Sequence, residues 1–202
     1  MSAAHMPAPA PNRIQRRRFV AELLALREGA LIVPGLGAAT WDCFAAGDSP
    51  EFLYSWGAMG LAVPTALGLA LAQPGRRVLA LTGDGEMLMG VGSLGVVAAQ
   101  APDNLAILVL DNESFGETGR QDGLTGGRLN LCKVAEGFGI AKTLAVAEAH
   151  APGLVARFLF EEPGPVFACA KIALSEDPKA LPIREGAAIA RRFRAALGLE
   201  RL

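Results

Sequence analysis

Two short polar runs follow long apolar ones in this chain, and their residue types are those that hold cations and anions. RVLALT (77–82) runs into Gly83-Asp84-Gly85, and LAILVL (105–110) runs into Asp111-Asn112-Glu113-Ser114. Asp84 offers a carboxylate and Asn112 an amide oxygen, hard donors of the kind magnesium takes one or two at a time alongside phosphate oxygens. Gly83 and Gly85 carry no Cβ, so backbone N–H groups there can approach an anion closely. A helix beginning near Glu86 would direct its positive end at the same spot. The chemistry implied is a diphosphate clamped through a divalent cation. Taken singly, each run has a plainer reading, since Gly-Asp-Gly is a common turn and Asp-Asn caps helices.

In open parallel sheets, ligands sit beyond the carboxyl ends of the strands, so both motifs require buried strands ahead of them. The segments Arg77–Thr82 and Leu105–Asp111 read as such strands, as do Ala30–Val33, Ile140–Leu144 and Pro165–Lys171. Helices are expected over Met87–Ala101 and Ala147–Phe160. After a linker at Ser175–Pro182, an amphipathic helix carries Ile189, Phe193 and Leu197. Strands apolar on both faces and separated by helices predict an α/β three-layer sandwich, a parallel sheet with helices on both faces. One domain over residues 14–202 accounts for the pattern, and Met1–Arg13, rich in Pro and Ala, reads as a disordered tail.

The cluster Arg13, Arg16, Arg17 and Arg18 opens a helix whose apolar face carries Phe19, Leu23 and Leu26. It reads as a solvated basic face, and no apolar stretch follows it as in a secretory signal. Phe52–Gly75 is uncharged and long enough to span a bilayer. Its Gly57, Gly60, Gly68, Pro64, Ser55 and Thr65 favour a fully buried helix instead.

Composition narrows the function further. The 202 residues are 51% apolar, which excludes disorder. Lys plus Arg number 19 against 20 Asp plus Glu, which excludes a nucleic-acid coat. Glycine is frequent, at 24 residues, and charged residues are only 19%, so part of the surface must be apolar and a burying partner is expected. Cys43, Cys132 and Cys169 form no CxxC pair, which removes zinc ribbons and iron–sulfur ligation and suits buried fillers in a reducing, cytoplasmic compartment. The histidines, His5 in the tail and His150 at a helix start, are not placed as catalytic bases.

About 25 residues separate Gly85 from Asp111. That spacing matches the thiamine-diphosphate signature of Gly-Asp-Gly followed by a pair ending in Asn. The block YSWGAMGLAVPTALGLALAQPGRRVLALTGDGEMLMGVGSLG, with LVLDNESFGETGRQ after it, resembles the diphosphate-binding half of thiamine-diphosphate-dependent 2-oxo acid decarboxylases, closest to the phosphonopyruvate and sulfopyruvate group. The match is dense over Gly57–Gln121 and looser over Arg13–Phe167.

The resemblance implies thiamine diphosphate and Mg2+ as cofactors. It implies Asp84 and Asn112 as side-chain ligands of the metal, with the Ser114 carbonyl as a third. Gly85 and Glu86 would contact the diphosphate through backbone N–H groups. Gly57 would accept from the amino group of the pyrimidine, and Met59 would be the apolar wedge that keeps the cofactor bent. Ala58, Gly83, Phe115 and Gly116 complete the implied cofactor-binding set. Glu117, Arg120 and Gln121 follow the metal-binding turn and are the candidates for proton transfer and for facing an anionic substrate. A glutamate that pairs with the pyrimidine sits, in this family, on a separate domain for which the chain has no room. The expectation is therefore a heteromer such as α2β2, with a pyrimidine-domain α-type partner and a small anionic 2-oxo acid as substrate.

Three rivals stand beside this reading. Pro34-Gly35-Leu36-Gly37-Ala38-Ala39-Thr40 imitates a dinucleotide-binding loop, but Thr40 replaces the last glycine and no acid follows at the required spacing. The β subunit of a 2-oxo acid:ferredoxin oxidoreductase has a similar turn after its Asp-Asn pair. A non-catalytic cofactor-binding subunit is the third.

Overall fold

The computed structural model describes residues 13–57, 59–146 and 152–199. Five parallel strands form the main sheet: β1 (Leu31–Pro34), β2 (Val78–Gly83), β3 (Leu105–Asp111), β6 (Lys142–Val146) and β7 (Val166–Lys171), in the order β1-β2-β3-β7-β6. Between β3 and β6 a two-stranded antiparallel ribbon, β4 (Ser114–Phe115) with β5 (Gln121–Asp122), stands apart. The helices are α1 (Arg16–Leu24), α2 (Ala38–Ala45), α3 (Ala62–Ala72), α4 (Asp84–Met89), α5 (Ser93–Gln100), α6 (Leu131–Gly137), α7 (Pro152–Phe160) and α8 (Gly186–Ala196).

The sheet builds outward from β1 to β3, jumps to its far edge at β6 and returns through β7. Right-handed crossovers require helices on opposite faces when the direction of travel reverses. The packing obeys this rule. Alternate residues of β3 point opposite ways: Leu105, Ile107 and Val109 join Val63, Leu94 and Leu131 of α3, α5 and α6. Ala106, Leu108 and Leu110 join Leu23, Cys43 and Val155 of α1, α2 and α7. The three-layer expectation holds, and Cys43, Cys132 and Cys169 are buried within it.

Several boundaries differ from those expected, each for a local reason. The uncharged stretch 52–75 is not one helix. Gly57 and Gly60 adopt positive φ, of 73° and 85°, and Pro64 fits only a first turn, so the helix is confined to α3, about 16 Å long. None of the described helices is long and apolar enough to cross a membrane. Met87–Ala101 divides into α4 and α5 at Gly90, whose backbone lies against that of Gly60. A Cβ on Gly90 would overlap the Gly60 carbonyl oxygen. The helix expected from Ala147 is described from Pro152; residues 147–151, with His150, lie outside the described residues, as do His5 and residues 1–12 of the expected tail.

The basic cluster is not a solvated face. Arg16 is buried and its guanidinium pairs with Asp42, which is fully buried, while Arg17 Nε donates to the same carboxylate at 3.0 Å. Arg13, read as the end of a tail, pairs with Glu113 in the turn that follows β3. Only Arg18, bonded to Glu22 one turn on, faces solvent. Removing one partner of a buried pair strands the other charge, at a cost of about 3–5 kcal/mol. Asp42→Ala is therefore expected to lower the unfolding free energy by about that amount, read from urea melts, whereas Glu22→Ala should change it by less than about 0.5 kcal/mol.

Candidate functional site

Register places the site. Gly83 lies opposite Leu110 across the β2–β3 ladder, and Asp111 opposite Lys171 across β3–β7, so Asp84, Asp111 and Lys171 leave adjacent strand ends side by side. Asp84 and Asp111 are both buried, at 4% and 1% exposure. Thr125, from a short 3-10 turn at Leu124–Gly126, inserts its hydroxyl between them, 3.0 Å from Asp84 Oδ2 and 2.7 Å from Asp111 Oδ1. A hydroxyl has one proton to donate, so it satisfies only one of the two carboxylates at a time. Burial, then the Asp111 charge, pushes the Asp84 pKa up to about 6 from 3.8.

Asp111 is held from several sides. Lys171 Nζ donates to its Oδ2 at 2.6 Å, the Glu113 N–H donates to its Oδ1 at 3.0 Å, and the Cys169 thiol lies 3.7 Å from Oδ2. Burial, with the Asp111 charge added, pushes that thiol well above its ordinary pKa, so Cys169 is an inert neutral neighbour. Lys171 spends its remaining donors on Glu113 Oε1 at 2.7 Å and the Thr125 carbonyl at 3.1 Å. Burial works against the ammonium, but the bonds to Asp111 and Glu113 outweigh it and hold its pKa above the ordinary value. Burial likewise opposes the Glu113 carboxylate, yet Lys171 and Arg13 together keep its pKa below normal.

This network fixes the turn that carries Asn112. Glu113 has a φ of 59°, in the left-handed region. The Ser114 N–H donates to Asn112 Oδ1 at 2.9 Å, which orients the amide oxygen and leaves it a second lone pair. The Gly123 N–H donates to the Glu113 carbonyl at 2.7 Å, and a Cβ on Gly123 would lie only 2.8 Å from the Glu113 carbonyl carbon. The Phe115 ring roofs the Gly83–Gly85 turn, 3.2 Å from where a Cβ on Gly85 would stand. Gly83 ends β2 beneath it, and Gly116 opens the 3-10 turn Gly116–Thr118 beyond it.

The remaining candidates are distributed around this centre. Gly57 and Met59 are exposed, Met59 at 45%, so this methionine is not a core filler. Ala58 lies outside the described residues. Glu86 is buried, its Oε2 accepting from Thr82 Oγ1 at 2.8 Å. Glu117 and Arg120 are exposed and reach the segment after β7, Glu117 towards Lys179 Nζ at 3.6 Å and Arg120 to Glu176. Gln121 closes its own turn, donating to the Thr118 carbonyl at 2.8 Å. Sequence reasoning missed Thr125, Lys171 and the Arg13–Glu113 pair. Lys171 follows an apolar run, as Asp84 and Asp111 do, and that signal could have found it. Thr125 sits in a glycine-rich loop with no signal of its own.

The donor set suits a hard divalent cation. Asp84 brings a carboxylate whose raised pKa marks unsatisfied negative charge, and Asn112 brings a fixed amide oxygen. Neither is a soft ligand, and a cation here would relieve the repulsion from Asp111.

Comparison with known proteins adds to the geometry. The family model described as thiamine pyrophosphate enzyme, C-terminal TPP binding domain, matches residues 37–168. The sulfopyruvate decarboxylase subunit beta of Methanothermobacter thermautotrophicus is 40% identical over 108 residues, covering 54% of this chain and 58% of that one. Its counterpart from Methanocaldococcus jannaschii is 34% identical over 130 residues, 64% of this chain and 68% of that one. The phosphonopyruvate decarboxylase of Streptomyces hygroscopicus is 41% identical over 113 residues, 55% of this chain but only 27% of that one. An X-ray structure of a protein from Mycobacterium smegmatis, assigned as a thiamin diphosphate-dependent enzyme, superposes with a TM-score of 0.68 at 21% identity. It covers 85% of this chain and 34% of that one, and shares the fold.

Thr125→Val removes the one donor between two buried carboxylates while keeping the side-chain volume. It is expected to cost about 1–3 kcal/mol at pH 7. The loss should shrink at pH 5, where Asp84 with its pKa near 6 is largely protonated and no longer adds its charge to that of Asp111. Chemical denaturation at the two pH values reads both.

Proposed function

This chain belongs to the thiamine pyrophosphate enzymes as their C-terminal TPP binding domain, and from that premise we propose that it is the diphosphate-binding subunit of a heteromeric 2-oxo acid decarboxylase. The observation that carries the reading is the Asp84 carboxylate, buried beside Asp111 with its pKa raised to about 6, together with the oriented amide oxygen of Asn112 in the turn that directly follows Asp111. Asp84, Asn112 and the Ser114 carbonyl would hold Mg2+. The N–H groups of Gly85 and Glu86 would receive the diphosphate under the Phe115 roof, with Gly83 and Gly116 around it. When bound, thiamine diphosphate supplies an electron sink for the pair released as a 2-oxo acid loses carbon dioxide. The Gly57 carbonyl would accept from the pyrimidine amino group, and exposed Met59 would support the bend of the cofactor. Holding it in that geometry is an orientation effect, of the kind that lowers a barrier without new chemistry.

The acid that pairs with the pyrimidine is assigned to a partner subunit. Two relatives are themselves named as subunits beta. Met59, Leu61, Met89 and Val96 are 45%, 51%, 66% and 53% exposed, all on the Gly57–Leu71 and Met87–Ala101 stretches, and large exposed apolar side chains on these stretches are what a docking partner would cover. On the substrate side, Glu117 is the candidate for proton transfer and Gln121 for orienting a carboxylate. Arg120, held now only by a surface bond to Glu176, would exchange that partner for the anionic group of a sulfonate- or phosphonate-bearing substrate.

Calorimetric titration of thiamine diphosphate with magnesium, into the chain alone and mixed with its α-type partner, tests the reading. Tight binding only in the mixture is expected, and a fully active homomer would overturn the split site. Asp84→Asn should abolish magnesium-dependent binding. In metal-free buffer the same change should stabilise the fold at pH 7 by about 1–3 kcal/mol. The sign follows from the raised pKa: the wild-type penalty is complete above about pH 6 and fades as pH falls towards 3.8, so the two proteins converge near pH 4. Arg120→Ala should weaken the apparent affinity for the anionic substrate at least tenfold with cofactor binding unchanged, read from steady-state kinetics.

A further inference from the structure

Glu86 is a buried carboxylate at this end of the sheet that belongs neither to the proposed cation ligands nor to the network around Asp111. Its residue is 4% exposed, and its Oε2 accepts from the Thr82 hydroxyl at 2.8 Å. The backbone N–H groups of Ala62, Gly60 and Leu36 face the same carboxylate, from two loops that precede β2 in the chain. Its Oε1 forms no hydrogen bond of regular geometry, so these amides lie near the carboxylate without closing on that oxygen. Gly35, just after β1, is packed so tightly on the carboxylate that a Cβ there would overlap Oε2. Gly60 is held from its other side by the end of α4: a Cβ on Gly60 would stand 3.1 Å from the Gly90 nitrogen and 3.2 Å from the Met89 carbonyl carbon.

We propose that the Glu86 side chain is a positioning group that ties the Gly57–Ala62 loop and the turn at Gly35–Gly37 to the Gly83–Gly85 turn. The proposal rests on the reading of this site as the cofactor site. A buried carboxylate faced by several N–H dipoles attracts them through its charge, more strongly than the neutral contacts that otherwise hold a glycine-rich loop. The two ends of the cofactor are then set by one residue: its backbone N–H faces the diphosphate, while its side chain fixes the loop whose Gly57 and Met59 face the pyrimidine. Glu86 touches no reacting atom, so its effect is on where those groups stand.

Two ligands separate this role from simple support of the fold. Magnesium pyrophosphate probes only the Asp84–Asn112 end, whereas magnesium thiamine diphosphate also needs the Gly57–Met59 loop. In the full chain with its partner, Glu86→Gln keeps the volume but replaces an acceptor by a donor facing the three amides. It is expected to weaken thiamine diphosphate about tenfold and pyrophosphate by much less. In the free chain, amide hydrogen exchange should quicken at Leu36, Gly60 and Ala62 while the strands of the sheet stay protected. Gly35→Ala, which displaces the carboxylate without altering it, should give the same pattern and covers the case of a Glu86→Gln chain that does not fold. Equal losses for both ligands, or unchanged exchange at those amides, overturn the tie. A wild-type protein that binds neither ligand overturns the cofactor reading instead, and the exchange measurement, which needs no ligand, still decides whether Glu86 holds the loop.

Discussion

Two carboxylates of like charge lie buried at neighbouring strand ends with a single hydroxyl proton between them, and much of the surrounding structure is arranged around that fact. Asp111 is stabilised by Lys171, by a backbone N–H and by whatever share of Thr125 it takes. Asp84 is met by Thr125 and by backbone N–H groups at its own turn but by no cation, and burial, with the Asp111 charge added, keeps its proton affinity raised. Buried charge is costly unless compensated, and here the compensation for Asp84 is incomplete within the described residues. The site therefore holds a demand for positive charge where burial keeps water from meeting it. Lys171 answers part of that demand and also locks Glu113, and through it the turn of Asn112. The ion network thus acts on a candidate ligand's geometry as well as on the local charge.

What the sequence made legible follows from range. The strand Leu105–Asp111 has the bounds expected of it, because seven consecutive apolar or strand-end residues leave no other reading. The GDG turn and the Asp-Asn pair were legible as a pair because each ends such a run. Helix bounds were not, since the breaks at Gly60 and Gly90 arise from one backbone lying on another, a contact between residues thirty apart that periodicity does not record. Arg16 misled for a similar reason: an arginine on an amphipathic helix reads as solvent-facing until a buried Asp42, 26 positions on, draws it inward. Thr125 is 41 residues from Asp84 and in a loop whose composition says only that it turns. The local half of the site could be read, and the half that balances its charge could not.

The glycines divide into kinds that composition alone lumps together. Gly57 and Gly60 supply backbone conformations that other residues resist. Gly35, Gly90 and Gly123 instead make room, for a carboxylate, a carbonyl and a turn respectively. Part of the high glycine count thus records close approaches around the ends of β1, β2 and β3, while other glycines, such as Gly68 and Gly92, have open space where a Cβ would stand.

The outer flank of β1 carries a last consequence. Its Ile32 exchanges hydrogen bonds with the backbone of Glu51 and Leu53, so a stretch of coil already occupies the ladder positions that a sixth strand would need. The opposite flank, β6, is five residues long and begins with an exposed lysine, Lys142. Neither border offers a long, bare, uncharged ladder to another molecule. A protein with apolar patches to spare can therefore associate through its helices without its sheets fusing into polymers, which keeps specific assembly separate from aggregation.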